Sequence, residues 1–153
     1  MIKIINGNLF NSKANIICHQ VNCQGVMGSG VAAEVKKRYP HVFQAYRNDY
    51  LNGNLKLGYV CFSTAKTNQV IANMCGQDNF GYDGSIYTNY NKLQECFNQV
   101  KSYATFEYDI KPVIAFPYLM SCYRGGGDWN VVYKMIEDTF CDFDVEIWRL
   151  DNG

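Results

Sequence analysis

The sequence predicts an α/β layered domain. Three observations carry that prediction. β-rich runs alternate with stretches of helical spacing along the whole chain. The 153 residues suit one domain with a single core. Two glycine-bearing loops each follow a predicted strand and open a predicted helix. Residues 2–5 (IKII) read as a short strand that ends at the turn triplet Asn6-Gly7-Asn8. Residues 15–21 (NIICHQV) form a second strand, apolar enough to be buried on both faces. Residues 29–39 have helical spacing, with Val31, Ala32, Val35 and Tyr39 on one side, and Pro40 stops them. Residues 42–51 form a further helix. Residues 59–63 and 70–74 are strands joined by the polar stretch Lys66-Thr67-Asn68. Residues 77–85 are polar and glycine-bearing, hence a loop. Residues 89–103 are a helix with apolar spacing at Leu93, Phe97 and Val100. Residues 113–116 are a strand ending at Pro117, and residues 121–127 are the second glycine loop. Asp128 caps a helix running to about Phe140, and residues 145–150 are the last strand. No repeat, low-complexity segment or linker interrupts the pattern, so one domain spanning 1–153 is expected.

Composition narrows the function classes. Apolar residues make up 48%, enough for a packed core, so disorder is excluded. Lys plus Arg and Asp plus Glu balance at 14 each with no basic tract, which gives no electrostatic grip on nucleic acid. The 15% of aromatic residues, twelve of them Tyr, fit a sheet-rich core, with a ring-lined pocket as the alternative. The seven cysteines are odd in number and widely spaced, and no CxxC pair exists, so no zinc or other metal site is expected. Free thiols in apolar runs behave as small hydrophobes and fit a reducing, cytoplasmic setting. The start MIKIINGN has no signal-peptide core, and no apolar run approaches membrane-spanning length. A cytoplasmic monomer with no membrane contact and no cofactor is expected.

The glycine loops point to a phosphate ligand. Glycine lets backbone N–H groups face a ligand without a Cβ in the way. A helix N-terminus adds partial positive charge. Two such loops at the carboxyl ends of strands suit a ligand with two phosphates between them. The first loop, with Gly25, Gly28 and Gly30, is spaced GxxGxG. That is neither the dinucleotide GxGxxG nor a GK[ST] phosphate loop. Tight turns and close helix–strand contacts are the alternative use of these glycines.

The stretch IKIINGNLF…ANIICHQVNCQGVMGSGVAAEVKKRYP resembles the start of a macrodomain, the ADP-ribose-binding module. The branch it is most similar to contains ADP-ribosyl-glutamate hydrolases, antitoxins that remove ADP-ribose from DNA, and the yeast ADP-ribose-1''-phosphate phosphatase. The segment PYLMSCYRGGGDWNVVYKMIEDTF resembles that branch's P-x-x-G-C-G-x-G-G-x-D-W. The resemblance spans nearly the whole chain and implies a three-layer α/β/α domain with a central mixed sheet of about six strands. It implies ADP-ribose, or an ADP-ribosylated protein or nucleic acid, as partner.

Carried over residue by residue, Asn22, Gly25, Val26, Met27 and Gly28, then Ser29, Gly30 and Val31, line a loop that wraps the distal ribose. Val21 precedes this loop in the binding set. Ser121, Cys122, Tyr123 and Arg124, then Gly125, Gly126 and Gly127, wrap the diphosphate. Asn8, beside Leu9, stands where many macrodomains use Asp to accept from the adenine amino group, and Asn accepts through its side-chain oxygen. Trp148 stands where a family aromatic stacks on adenine, with a core Trp as the alternative. The second loop departs from the family, because Ser121-Cys122-Tyr123 replaces Gly-Cys-Gly. Tyr123 either clashes with the ligand or covers it. Arg124 is either a bidentate clamp on phosphate or an exposed loop charge. Cys122 is read as a packing residue.

The implied chemistry is specific in one respect. The branch's glutamate hydrolases and antitoxins use a lysine after the mid-chain strand, and residues 72–79 (ANMCGQDN) contain none. A covalent lysine mechanism is therefore not expected. The phosphatase-like segment I-H-S-x-N-C-x-G matches residues 18–25 better, with His19 in the histidine's place. His19 is a candidate general acid or base, or else a neutral ring hydrogen-bonded within the sheet. Asp128 is a candidate acidic partner that activates water or orients His19, with a helix N-cap as the alternative. Gln77 is a candidate for positioning that water. Three functions stay open: a hydrolase acting at the terminal ribose, a reader that only binds ADP-ribose, and a module that sequesters a signalling nucleotide.

Overall fold

The computed structural model describes residues 1–81, 83, 85–122 and 125–150. Six strands alternate with helices: β1 Ile2–Asn6, β2 Ile16–Val21, α1 Gly30–Arg38, α2 Pro40–Leu51, β3 Val60–Lys66, β4 Gln69–Cys75, α3 Tyr90–Phe106, β5 Ile114–Pro117, α4 Trp129–Thr139 and β6 Val145–Arg149. They build one mixed sheet in the order β1-β6-β5-β2-β4-β3. Every neighbouring pair is parallel except the β3–β4 hairpin. The central strands read IICHQV and IAFP and are almost wholly buried, as parallel strands covered on both faces must be.

Side-chain alternation along the strands makes two cores. On one face Ile17, Ile71 and Ala115 meet Val35 of α1 and Val42 and Tyr46 of α2. On the other face Cys18, Ala72, Ile114 and Ile147 meet Leu93, Phe97 and Val100 of α3 and Val132 and Ile136 of α4. There Phe97, Phe116 and Phe140 pack as an aromatic triangle with centroids 5.5 to 5.8 Å apart. The expected α/β/α layering and six-stranded mixed sheet are both present.

The departures from the sequence reading are local. Pro40 does more than stop a helix: it occupies the first turn of α2, where its missing N–H has no partner to lose. Asn8 caps a single 3-10 turn, Leu9–Asn11, by accepting from the Phe10 amide at 2.9 Å. The chain reverses between β3 and β4 through Asn68, which sits at φ +63. Asn89 accepts from the Lys92 amide, and α3 runs three residues past Tyr103 to Phe106.

The topology itself places a crevice. After β2 the chain turns to the α1/α2 face, and after β5 it turns to the α4 face. β2 and β5 are neighbours in the sheet, so their carboxyl ends diverge into opposite layers and leave a cleft between them.

Candidate functional site

The cleft holds two cavities of about 340 and 820 Å³. Gly30, Val31, Pro117, Tyr118 and Leu119 border both, so the two form one groove with a waist. The waist lies at the mouth of α1. Ser29, the N-cap, is extended at φ −154 and ψ 164, and its side chain makes no capping bond. Gly28 to Ala32 line the smaller cavity with that uncapped helix end. The first N–H groups of a helix lack intrahelical partners, and nothing from Ser29 satisfies them, so the donors and the positive dipole end are available at the waist.

The first glycine loop is shaped from behind. Asn22 Oδ1 accepts from the Gln24 amide at 2.9 Å and from the Tyr46 hydroxyl at 3.0 Å, while its Nδ2 donates to Val26 O at 3.0 Å. Gly25 adopts φ +73 with its missing Cβ directed at Arg47 and Tyr50 of α2. Met27 is buried in the α1/α2 core. Of the residues expected in this loop, Asn22, Val26, Gly28, Ser29, Gly30 and Val31 line the smaller cavity together with Val21. Gly25 and Met27 support it from outside.

His19 also lines the smaller cavity, yet only 1% of its surface is exposed. Its Nε2 lies 2.6 Å from Asn73 Oδ1, and Asn73 Nδ2 donates to Cys61 O at 3.0 Å. Nδ1 is buried without a partner among the described residues. Burial pushes the imidazole down to about pKa 4, outweighing the opposing hydrogen bond to Asn73. At neutral pH the ring is uncharged.

On the opposite face of β2, Gln20 gathers the surrounding loops. Its Nε2 donates to Gln77 Oε1 at 2.7 Å and to Thr88 Oγ1 at 2.9 Å, and its Oε1 accepts from Ser121 Oγ at 2.6 Å. Thr88 Oγ1 in turn donates to Ser121 O at 2.8 Å, and Gln77 Nε2 donates to Asn79 O at 2.8 Å. Gln77 therefore borders the cavity with both ends of its amide already committed.

The second glycine loop differs from the first. Ser121 and Gly125 border the smaller cavity. Gly126 sits against Ser85 and Ile86, and the Gly127 amide donates to Ser121 O at 2.9 Å. The Asp128 amide donates to the Tyr90 hydroxyl at 2.8 Å, and its exposed carboxylate caps α4 by accepting from the Asn130 amide at 2.9 Å. Asp128 is not among the residues that line either cavity. Cys122 Sγ donates to Met120 O at 3.2 Å, and burial pushes its thiol up to about 11, so it is a packing residue and no thiolate. Tyr123 and Arg124 lie outside the described residues. Leu119 and Ser121 adopt φ +61 and +70, a left-handed backbone that costs non-glycine residues free energy and recurs at ligand sites.

The larger cavity is bordered by Asn8, Leu9 and Trp148, the three residues expected near adenine. Asn8 Oδ1 is engaged with Phe10 N, which leaves its amide N–H groups and a second lone pair. Trp148 Nε1 donates to Glu146 Oε1 at 2.8 Å, and Ser12 Oγ donates to the same oxygen at 2.6 Å. Glu146 thus sets the plane of the indole.

Sequence reasoning missed Gln20, Asn73, Thr88 and Glu146. A signal existed for two of them: Gln20 and Asn73 are amides inside otherwise apolar strands, and a buried amide needs partners. It also missed Phe80 and Tyr118 on the cavity wall, for which residue type alone gives no signal.

Comparison with known proteins agrees with this fold. A 58-residue segment, 38% of this chain, is 38% identical to the DNA ADP-ribosyl glycohydrolase of Mycobacterium tuberculosis. That segment spans 16% of the relative, so the chain accounts for a small part of it. A 48-residue segment, 29% of this chain and 27% of the relative, is 40% identical to the ADP-ribose 1''-phosphate phosphatase of Meyerozyma guilliermondii. The macrodomain of Mycobacterium tuberculosis DarG superposes with a TM-score of 0.83 at 22% identity, covering 97% of both chains, which is a likeness of fold. The Macro domain family model matches residues 18–136, from the centre of β2 to the last turn of α4, and the chain belongs to that family.

Proposed function

We propose that the chain binds ADP-ribose, or a group carrying it, along the groove and hydrolyses a bond at the terminal ribose. The larger cavity beside Trp148 takes the adenine, the smaller cavity beside His19 takes the terminal ribose, and the diphosphate crosses the waist. The observation that carries this reading is the uncapped mouth of α1 between the two cavities. An anion there gains free N–H donors and a favourable dipole without displacing a side chain.

Hydrolysis is supported by the relatives, which are named as enzymes acting on ADP-ribosyl or ADP-ribose 1''-phosphate groups. Water is the nucleophile, since residues 72–79 contain no lysine. Among the described candidates, His19 alone both lines the cavity and keeps an unpartnered side-chain atom. A second reading, a reader without turnover, is favoured by two observations: Gln77 is held by Gln20 and Asn79, and Asp128 caps α4.

Calorimetry with ADP-ribose, followed by incubation with ADP-ribose 1''-phosphate, ADP-ribosylated DNA and ADP-ribosylated peptide, separates these readings. Binding with release of phosphate or ADP-ribose, lost in His19→Ala, is the expected result. Binding with no product from any substrate establishes the reader instead. Absence of binding removes both.

A further inference from the structure

We propose that Asn73 is a positioning residue for His19, holding the imidazole protonated on Nε2 and so leaving Nδ1 as a buried hydrogen-bond acceptor beside the smaller cavity. The inference rests on the reading of that cavity given above for its functional consequence, but its structural half stands alone.

Asn73 is wholly buried on β4, directly opposite His19 in the β2–β4 register. One side of its amide faces the carbonyl of Cys61 at 3.0 Å. A carbonyl oxygen only accepts, so the nitrogen of the amide must be on that side. The amide oxygen is then the atom 2.6 Å from His19 Nε2. That oxygen carries no hydrogen, so Nε2 must supply one. A neutral imidazole has a single N–H, which leaves the lone pair on Nδ1. Nδ1 has no partner among the described residues, and a buried acceptor without one carries a desolvation cost that a hydrogen-bond donor reaching it relieves. The Cys61 carbonyl belongs to the β3–β4 ladder, so the amide cannot flip without breaking a buried bond. Burial keeps the ring neutral, consistent with a pKa lowered to about 4.

The chain contains two histidines, which makes the ring directly readable. Long-range proton–nitrogen correlation spectra of the nitrogen-labelled, ligand-free protein at pH 7 report the tautomer of each, with His41→Gln assigning the pair. His19 is expected as the Nε2–H form alone. An Nδ1–H form, or an even mixture, overturns the proposal. Asn73→Leu is expected to release the tautomer and weaken ADP-ribose binding about tenfold, the effect of one lost hydrogen bond. Asn73→Asp, which keeps an acceptor for Nε2 but loses the donor to the Cys61 carbonyl, is expected to keep Nε2 protonated and to bind more tightly than Asn73→Leu. Persistence of the single tautomer in Asn73→Leu overturns the proposal. Should either variant fail to fold, the wild-type spectrum still decides it. Should the wild type bind no ADP-ribose, the functional reading falls while the spectrum continues to test Asn73.

Discussion

The mouths of α1 and α4 look alike in sequence and differ in structure. Both follow a glycine loop at the end of a parallel strand. At α1 the N-cap is Ser29, whose hydroxyl leaves the helix donors free, and the groove passes over it. At α4 the N-cap is Asp128, whose carboxylate occupies a donor and brings negative charge to the place where an anion would sit. The Gly127 amide beside it is turned inward to Ser121. Glycine content thus reports where the backbone turns sharply, and the cap reports whether a helix end is open to a ligand. The glycine pattern suggested two phosphates between the loops, and the resemblance put the first loop on the distal ribose and the second on the diphosphate; in the structure Ser29 leaves the α1 mouth uncapped beside the groove and Asp128 caps α4.

The largest test makes α1 resemble α4. Ser29→Asp places a carboxylate at the open mouth. About 4 kcal/mol of repulsion at close range, roughly a thousandfold in affinity, is expected against ADP-ribose by calorimetry. Thermal stability is expected to stay level or rise, because Asp is a good N-cap. Retained affinity breaks the comparison.

Acid tests the α1 side next. His19 has its folded-state pKa lowered from 6.5 to about 4, so between those values the unfolded chain binds more protons and stability falls as pH falls. The loss approaches about 3 kcal/mol by pH 4, read from urea unfolding at a series of pH values. His19→Gln is expected to flatten that slope between pH 6.5 and 4. An unchanged slope in the variant assigns the acid sensitivity elsewhere.

Two smaller effects concern the α4 side. Gln20→Leu strips the shared partner of Gln77, Thr88 and Ser121 and is expected to cost about 2 kcal/mol in urea unfolding, with the second glycine loop losing hydrogen-exchange protection. Asp128→Ala removes only a cap and is expected to cost about 1 kcal/mol of stability with ADP-ribose affinity unchanged. Lost affinity in Asp128→Ala would restore the carboxylate to the site.

What the sequence made legible follows from the range of the physics. Strands and helices depend on local periodicity, and the order strand, glycine loop, helix was readable at both loops. The reading of Asp128 as a cap was available from its position before Trp129. The bonds of Gln77 and Ser121 to Gln20 and of Asn73 to His19 were not, because those partners lie far off in the chain. Gln20 and Ser121 are 101 residues apart, and His19 and Asn73 are 54 apart. The first pair exists only once β5 lies beside β2 and the second only once the β2–β4 register is set, and no window of sequence contains either. Pro40 shows the same limit at short range: it ends one helix and starts the next, and only the observed α2 N-terminus distinguishes the two uses.

The most direct test of the central claim is an amide chemical-shift titration with ADP-ribose. The account predicts large shifts at Gly30, Val31 and Ala32 and little change at Gly127 and Asp128. Movement at Gly127 and Asp128 with Gly30 to Ala32 silent would contradict it.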